Sequence, residues 1–173
     1  MSLLVLAYPT LSDSDLETIR AIRAEHDALY YDVVGAHFTI VFPEPTMDPK
    51  DFSDHVRKSV EGFGAFPFVL RCAVLVKDSF SDTTHVFLVP DEGYSAVVRL
   101  HDLLYRGPLA PSLRLDLPFI PHVGVGGYVD PAKSKALVDD LNARNLEIRG
   151  TVDVLDVVSY ENDRVETLER IAL

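Results

Sequence analysis

Two stretches of this chain follow one plan, and their spacing limits what it can fold into. His37-Phe38-Thr39-Ile40-Val41-Phe42-Pro43 is an apolar, β-branched run followed by Asp48-Pro49. Pro121-His122-Val123-Gly124-Val125 is a second such run, followed by Asp130-Pro131. An Asp N-cap with Pro in the first helical position opens a helix, because the carboxylate accepts free N–H groups and the ring presets φ. The two histidines lie 85 residues apart in a chain of 173, about half its length. A strand-then-helix unit repeated at that spacing predicts a duplicated lobe, with two equivalent strands about a pseudo-two-fold axis. The two strand histidines then face each other across a shared groove.

The remaining segments fill out an α+β chain. Leu3 to Tyr8 reads as a buried strand stopped by Pro9. Ser12 with Asp15 marks a helix start, and Leu16, Ile19, Ile22, His26 and Leu29 recur at helical spacing. Phe52, Val56 and Val60 continue the helix begun at Asp48. Phe66 to Val76 and Thr84 to Val89 read as a hairpin. Tyr94, Val97, Val98, His101 and Leu104 predict a helix, and Tyr105 to Asp116 a long loop. Pro118 to Val125 reads as a strand, and Ala136, Leu137 and Leu141 form the face of the helix after Asp130. Leu146 to Ser159 and Val165 to Leu173 read as closing strands around a polar turn. No linker interrupts the sequence, so residues 1–173 are expected to form one domain of two lobes.

Composition removes several classes of function. Apolar residues are 47% and charged residues 25%, which suits a folded globular chain and not a disordered one. The formal charge of −11 repels polyanions, so long nucleic acid is not an expected partner. It leaves room for a local cationic cleft around one phosphate. Cys72 is the only cysteine, which excludes an intramolecular disulfide and a cysteine zinc cluster and predicts a reducing, cytoplasmic setting. The apolar run Leu3–Ala7 is too short for a signal core and follows no basic residues, so no leader is expected. No stretch approaches the roughly 20 apolar residues of a membrane span.

Alternation along a strand decides which side chains share a face. His37, Thr39 and Val41 are expected on one face, with Phe38, Ile40 and Phe42 turned into the core. In the second run His122, Gly124 and Gly126 share a face opposite Val123 and Val125. Each strand thus offers an imidazole on its less apolar side, and the first adds a hydroxyl about 7 Å along. That set suits phosphoester cleavage. One neutral imidazole takes a proton from the attacking oxygen while a second, protonated one donates to the leaving oxygen. The Thr39 hydroxyl donates to a non-bridging phosphate oxygen. Arg106 and Arg114, in the loop before the second run, are candidates for a phosphate grip at the groove edge, against the plainer reading of solvated loop charges. Tyr8 and Tyr128 are candidates for stacking on a base. His85 shares its strand face with Phe87 and Val89 and reads as structural. His26 and His101 read as packing or surface residues in helices, and His55 as exposed. No His-Glu-x-x-His, carboxylate cluster or cysteine pair appears, so neither a metal nor another cofactor is expected. The Gly124-Val125-Gly126-Gly127 run lacks a dinucleotide fingerprint and reads as a place where the strand bends or accepts a close backbone.

The paired motifs resemble those of the two-histidine (2H) phosphoesterase superfamily, which includes 2′-5′ RNA ligase-like proteins and 2′,3′-cyclic nucleotide phosphodiesterases. His37-Phe38-Thr39-Ile40 fits the first motif in full. Pro121-His122-Val123-Gly124-Val125 fits the second, except that Gly124 stands where the family has Thr or Ser. The resemblance implies a bilobal fold of two antiparallel sheets flanking a central groove, with helices outside and no cofactor. It also implies a cyclic 2′,3′-phosphate or a 2′-5′ phosphodiester of a nucleotide or RNA end as substrate. His37 and His122 are then acid and base in an unassigned order, and Thr39 orients the phosphate. Two rivals remain: a weakened or inactive phosphate-binding module of the same fold, marked by Gly124, and an unrelated α+β interaction protein.

Overall fold

A computed structural model describes residues 1–173. In chain order the elements are β1 (Ser2–Ala7), β2 (Thr10–Leu11), α1 (Asp13–His26), β3 (Phe38–Glu44), α2 (Pro49–Ser59), β4 (Phe66–Lys77) and β5 (Thr84–Glu92). They continue with α3 (Tyr94–Leu104), β6 (Val123–Tyr128), α4 (Pro131–Ala143), β7 (Ile148–Val152), β8 (Val154–Glu161) and β9 (Arg164–Ala172). The strands form two antiparallel sheets, ordered β3-β1-β8-β9 and β2-β7-β4-β5-β6. Helices α1 and α4 pack on the second sheet, while α3 packs on β3 with α2 against it. The fold is therefore α+β with two lobes. The two repeated strands, β3 and β6, hold equivalent places, each at an edge of its own sheet.

Local chemistry explains the elements. Ser12, Asp48 and Asp130 cap α1, α2 and α4 by accepting backbone N–H bonds, and Pro49 and Pro131 follow their caps. Gly93 precedes α3 at φ +84°, and a Cβ there would come within 2.6 Å of the Pro67 carbonyl oxygen, so only glycine fits. Between the sheets, Phe38 of β3 meets Phe68 of β4 edge to face, with centroids 5.0 Å apart. Both are fully buried and join the lobes through one apolar cluster.

Several sequence expectations need correction. The regular alternation of β3 breaks, because its pairing with β1 shifts register twice and β3 holds the extra residues. Each bulge flips the side chains beyond it to the other face. Val41 is consequently fully buried, and Phe42 is half-buried and faces the groove. The backbone groups there are satisfied from α3: His101 Nδ1 donates to the Ile40 carbonyl at 2.8 Å, and the Phe42 N–H donates to the Tyr105 hydroxyl at 3.0 Å. His101 is buried and stacked on Phe119, with centroids 3.6 Å apart. His55 is half-buried and bonds the Leu104 carbonyl at the end of α3, so it is not exposed. Helix α1 stops at His26, leaving Leu29 exposed. The predicted 105–116 loop contains a 3₁₀ turn at Gly107–Ser112, and residues 118–122 are not strand. The expected strand Leu146–Ser159 divides at Asp153, where the chain crosses from one sheet to the other.

Candidate functional site

The inner faces of the two sheets enclose a cleft of about 310 Å³. Leu4 and Leu6 of β1, Thr39 and Phe42 of β3, and Tyr160 and Val165 line one side. His85 and Phe87 of β5 with Gly124 and Gly126 of β6 line the other. Tyr30, Val33 and Val34, from the turns after α1, close one end together with Arg23 and Asp27. His37 and His122 both line this cleft, each one residue before its strand begins.

The two imidazoles are held alike. His37 Nδ1 lies 2.8 Å from the carbonyl of Gly35, and His122 Nδ1 lies 2.6 Å from the carbonyl of Ile120. A carbonyl oxygen only accepts, so each Nδ1 carries the proton. Each Nε2 is then the ring nitrogen left for proton traffic. His122 also lies flat on Phe87, with ring centroids 3.6 Å apart and planes 10° apart. Tyr8 backs His37 at 6.0 Å and 62°.

Burial lowers the pKa of both histidines, since a low-dielectric surround disfavours the cation. Their surroundings then separate them. His122, with no carboxylate beside it and with His37 and His85 as like-charged neighbours, is lowered to about 4. For His37, burial is the largest cause; the Gly35 carbonyl and the Asp27 carboxylate oppose it, while Arg23 adds to it. Both rings are neutral at pH 7 in the free protein, and charge on one opposes charge on the other.

The structure brings His37, Thr39, His122 and Gly124 into one cleft. Gly124 is open: a Cβ there would meet nothing within 4 Å. Gly126 serves a different purpose, because a Cβ there would lie 2.8 Å from the His26 carbonyl oxygen. It lets the end of α1 approach β6, the close backbone that the glycine run suggested. Four other candidates lie outside the cleft lining. Arg114 pairs with Asp116, Nε to Oδ1 at 2.8 Å, and lies over the Phe80 ring at 5.2 Å. Arg106 precedes the 3₁₀ turn and is exposed. Tyr8 stands behind His37, and the Tyr128 hydroxyl is 2.7 Å from His26 Nδ1.

Sequence reasoning missed the cleft positions of His85, Phe87 and Arg23. Alternation had put His85 and Phe87 on one face of β5, but the face became meaningful only once β5 paired with β6. Arg23 did leave a signal: it lies four residues after Ile19 and three before His26, on the apolar stripe of α1, with Asp27 four residues on. His85 Nε2 lies 3.6 Å from Asp78 Oδ2 at the cleft wall. No group of three or more His, Cys, Asp or Glu side chains is placed to hold a metal ion. No helix is long and apolar enough to cross a membrane.

Comparison with known proteins gives the context for this geometry. A family model described as the 2′-5′ RNA ligase superfamily matches residues 11–164. A search of curated proteins returned no match. Among solved structures, E. coli LigT complexed with 3′-AMP is similar at 20% identity and TM-score 0.61, covering 99% of this chain and 97% of that one. Kluyveromyces marxianus Usb1 is similar at 13% identity and TM-score 0.54, covering 99% and 98%. Its complex with uridine monophosphate is similar at 13% identity and TM-score 0.52, with the same coverage.

Proposed function

Because the chain belongs to the 2′-5′ RNA ligase superfamily, we propose that it is a phosphoesterase acting on a 2′,3′-cyclic phosphate or a 2′-5′ phosphodiester at a nucleotide or RNA end. The observation that carries this reading is the matched pair of imidazoles, each fixed through Nδ1 with Nε2 left for the cleft. The cleft volume falls within the usual range for small-ligand sites. The relatives whose complexes hold 3′-AMP and uridine monophosphate support a nucleotide-sized ligand.

The charge asymmetry supports one division of the roles. His122 is the base: its Nε2 lone pair takes a proton from water as the water oxygen bonds to phosphorus. His37, with Asp27 beside it, is the acid: its Nε2–H passes to the ester oxygen as the P–O bond breaks. One proton enters the pair and one leaves it, so hydrolysis is balanced. Thr39 holds a non-bridging oxygen between them. The inactive binding module is the second reading, favoured by the missing side chain at Gly124. Incubation with 2′,3′-cyclic nucleotides and 2′-5′ dinucleotides separates the two. Product formation is expected; binding without turnover would leave the binding module.

The pH dependence has a definite sign. Productive enzyme needs neutral His122 and charged His37. Below about 4 the base is protonated, and above the lowered pKa of His37 the acid is lost. Besides burial, the groups that set this window are the Gly35 carbonyl, Arg23 and Asp27 around His37, with the Ile120 carbonyl, His37 and His85 around His122. The bell in kcat/KM, which reports free enzyme, should peak between about 4 and the ordinary histidine value of 6.5. The kcat profile should lie higher, because a bound phosphate anion favours the imidazolium. A kcat/KM optimum above pH 7 would contradict the assignment. Turnover should also survive exhaustive chelation, since two imidazoles supply both proton transfers. Loss on chelation with recovery on adding a divalent ion would rule that out.

A further inference from the structure

Arg23 is a buried cation that the proton-transfer scheme does not use. It lies on α1, 5% exposed, at the end of the cleft. Its Nε donates to Asp27 Oδ2 at 2.8 Å, and its Nη2 donates to the carbonyls of Tyr30 at 3.0 Å and Val34 at 2.8 Å. Asp27 Oδ1 in turn accepts the Tyr30 N–H at 3.2 Å. One guanidinium thus ties three points of the segment that runs from α1 to β3. The next residue after Val34 is Gly35, whose carbonyl holds His37 Nδ1.

We infer that Arg23 is the positioning residue for His37: by fixing the Val34 carbonyl it fixes the Gly35 carbonyl beside it, and so the tautomer and aim of the imidazole. The residue type fits the task. Only a planar fork reaches a carboxylate and two carbonyls at set angles, and a lysine ammonium does not reproduce it. His122 takes its anchor from Ile120, in a different segment, so the effect should be confined to one of the two histidines. The inference extends the phosphoesterase reading, and its decisive measurement needs no substrate.

Two variants test it. Arg23→Lys keeps the buried charge beside Asp27 but loses the fork. Arg23→Met with Asp27→Leu removes both charges together, a replacement that buried ion pairs often tolerate. Ring ¹⁵N signals of the two histidines are read at pH 7, alongside kcat and KM for a cyclic nucleotide and a thermal melt. The expected wild-type spectrum has Nδ1–H on both rings. In both variants His37 should become a mixture of tautomers while His122 stays as it was, and in Arg23→Lys, which keeps Asp27, kcat should fall tenfold or more with KM within a few-fold. A folded variant that keeps the His37 tautomer, or a folded Arg23→Lys that keeps kcat, overturns the inference. So does an equal disturbance of His122, which would indicate general loosening. If the double variant does not fold, the Arg23→Lys spectrum decides. If the wild type itself shows no turnover while the variants shift the His37 tautomer, the phosphoesterase reading fails and the positioning role stands.

Discussion

His37→Ala and His122→Ala should each lower kcat for a 2′,3′-cyclic nucleotide by about 10²-fold or more, the usual worth of a positioned acid or base. Each imidazole offers the cleft a single nitrogen, since Nδ1 is committed to a backbone carbonyl. No neighbouring side chain replaces it on the same path: His85 is set against Asp78 and is separated from His122 by the Phe87 ring. Because the two act in one step, removing both should cost little more than removing either. The pH profiles should divide the roles. His122→Ala should lose the acid limb, and His37→Ala the alkaline limb. Both rings are partly open to the cleft, so the variants should fold. A folded variant with wild-type kcat would remove that histidine from the mechanism, and exchanged limbs would reverse the assignment of acid and base.

The fold was legible where local signals agreed with tertiary need. Asp48-Pro49 and Asp130-Pro131 open helices at those positions, and the half-chain repeat marks β3 and β6 as equivalent strands, which the two sheets hold at an edge each. It was illegible where pairing decided. No residue within β3 announces its bulges; they follow from matching it to β1, and they reverse the expected facing of Val41 and Phe42. The end of α1 misled for a similar reason. Leu29 continues the helical period, but Asp27 binds the Arg23 guanidinium and the Tyr30 N–H, and the chain turns there instead.

The site divides along the same line. His37, Thr39, His122 and Gly124 stand out in the sequence because a short motif occurs twice, and the structure gathers them in one cleft. For Arg106 and Arg114 the plainer reading of loop charges fits their places outside the cleft lining, while a buried cation such as Arg23 is hard to see because sequence shows a charge and not its partner. Arg114 is taken by Asp116, whereas Arg23 reaches the cleft from the buried face of α1. The 3.6 Å stack of Phe87 on His122 depends on β5–β6 register and leaves no trace in either strand alone.

Thr39→Ala should lower turnover by roughly 10- to 100-fold, because a hydrogen bond to a charged group is worth about 1.5–3 kcal/mol. The loss should be large because the grip is one-sided: on the other strand the equivalent position is Gly124, which offers no hydroxyl. Gly124→Thr should give one back. A Cβ at this position meets nothing within 4 Å, and Gly124 is not among the glycines with positive φ, so a β-branched residue suits the strand. The new hydroxyl would lie two residues from His122, as Thr39 lies two residues from His37. A hydroxyl newly placed in a site not shaped around it should recover only part of such a bond, about 1 kcal/mol, so the expected gain in kcat/KM is a few-fold to tenfold. Placed in the Thr39→Ala background, the same change should recover part of the loss. Gly124→Ala separates the hydroxyl from its bulk: it should leave kcat/KM near wild type, since the space is free. If Gly124→Thr and Gly124→Ala both fold, by thermal melt, and both weaken nucleotide binding, the space beside Gly124 is occupied by the ligand itself. The open strand would then be an adaptation to a larger substrate, and the account of a weakened phosphate grip would fail.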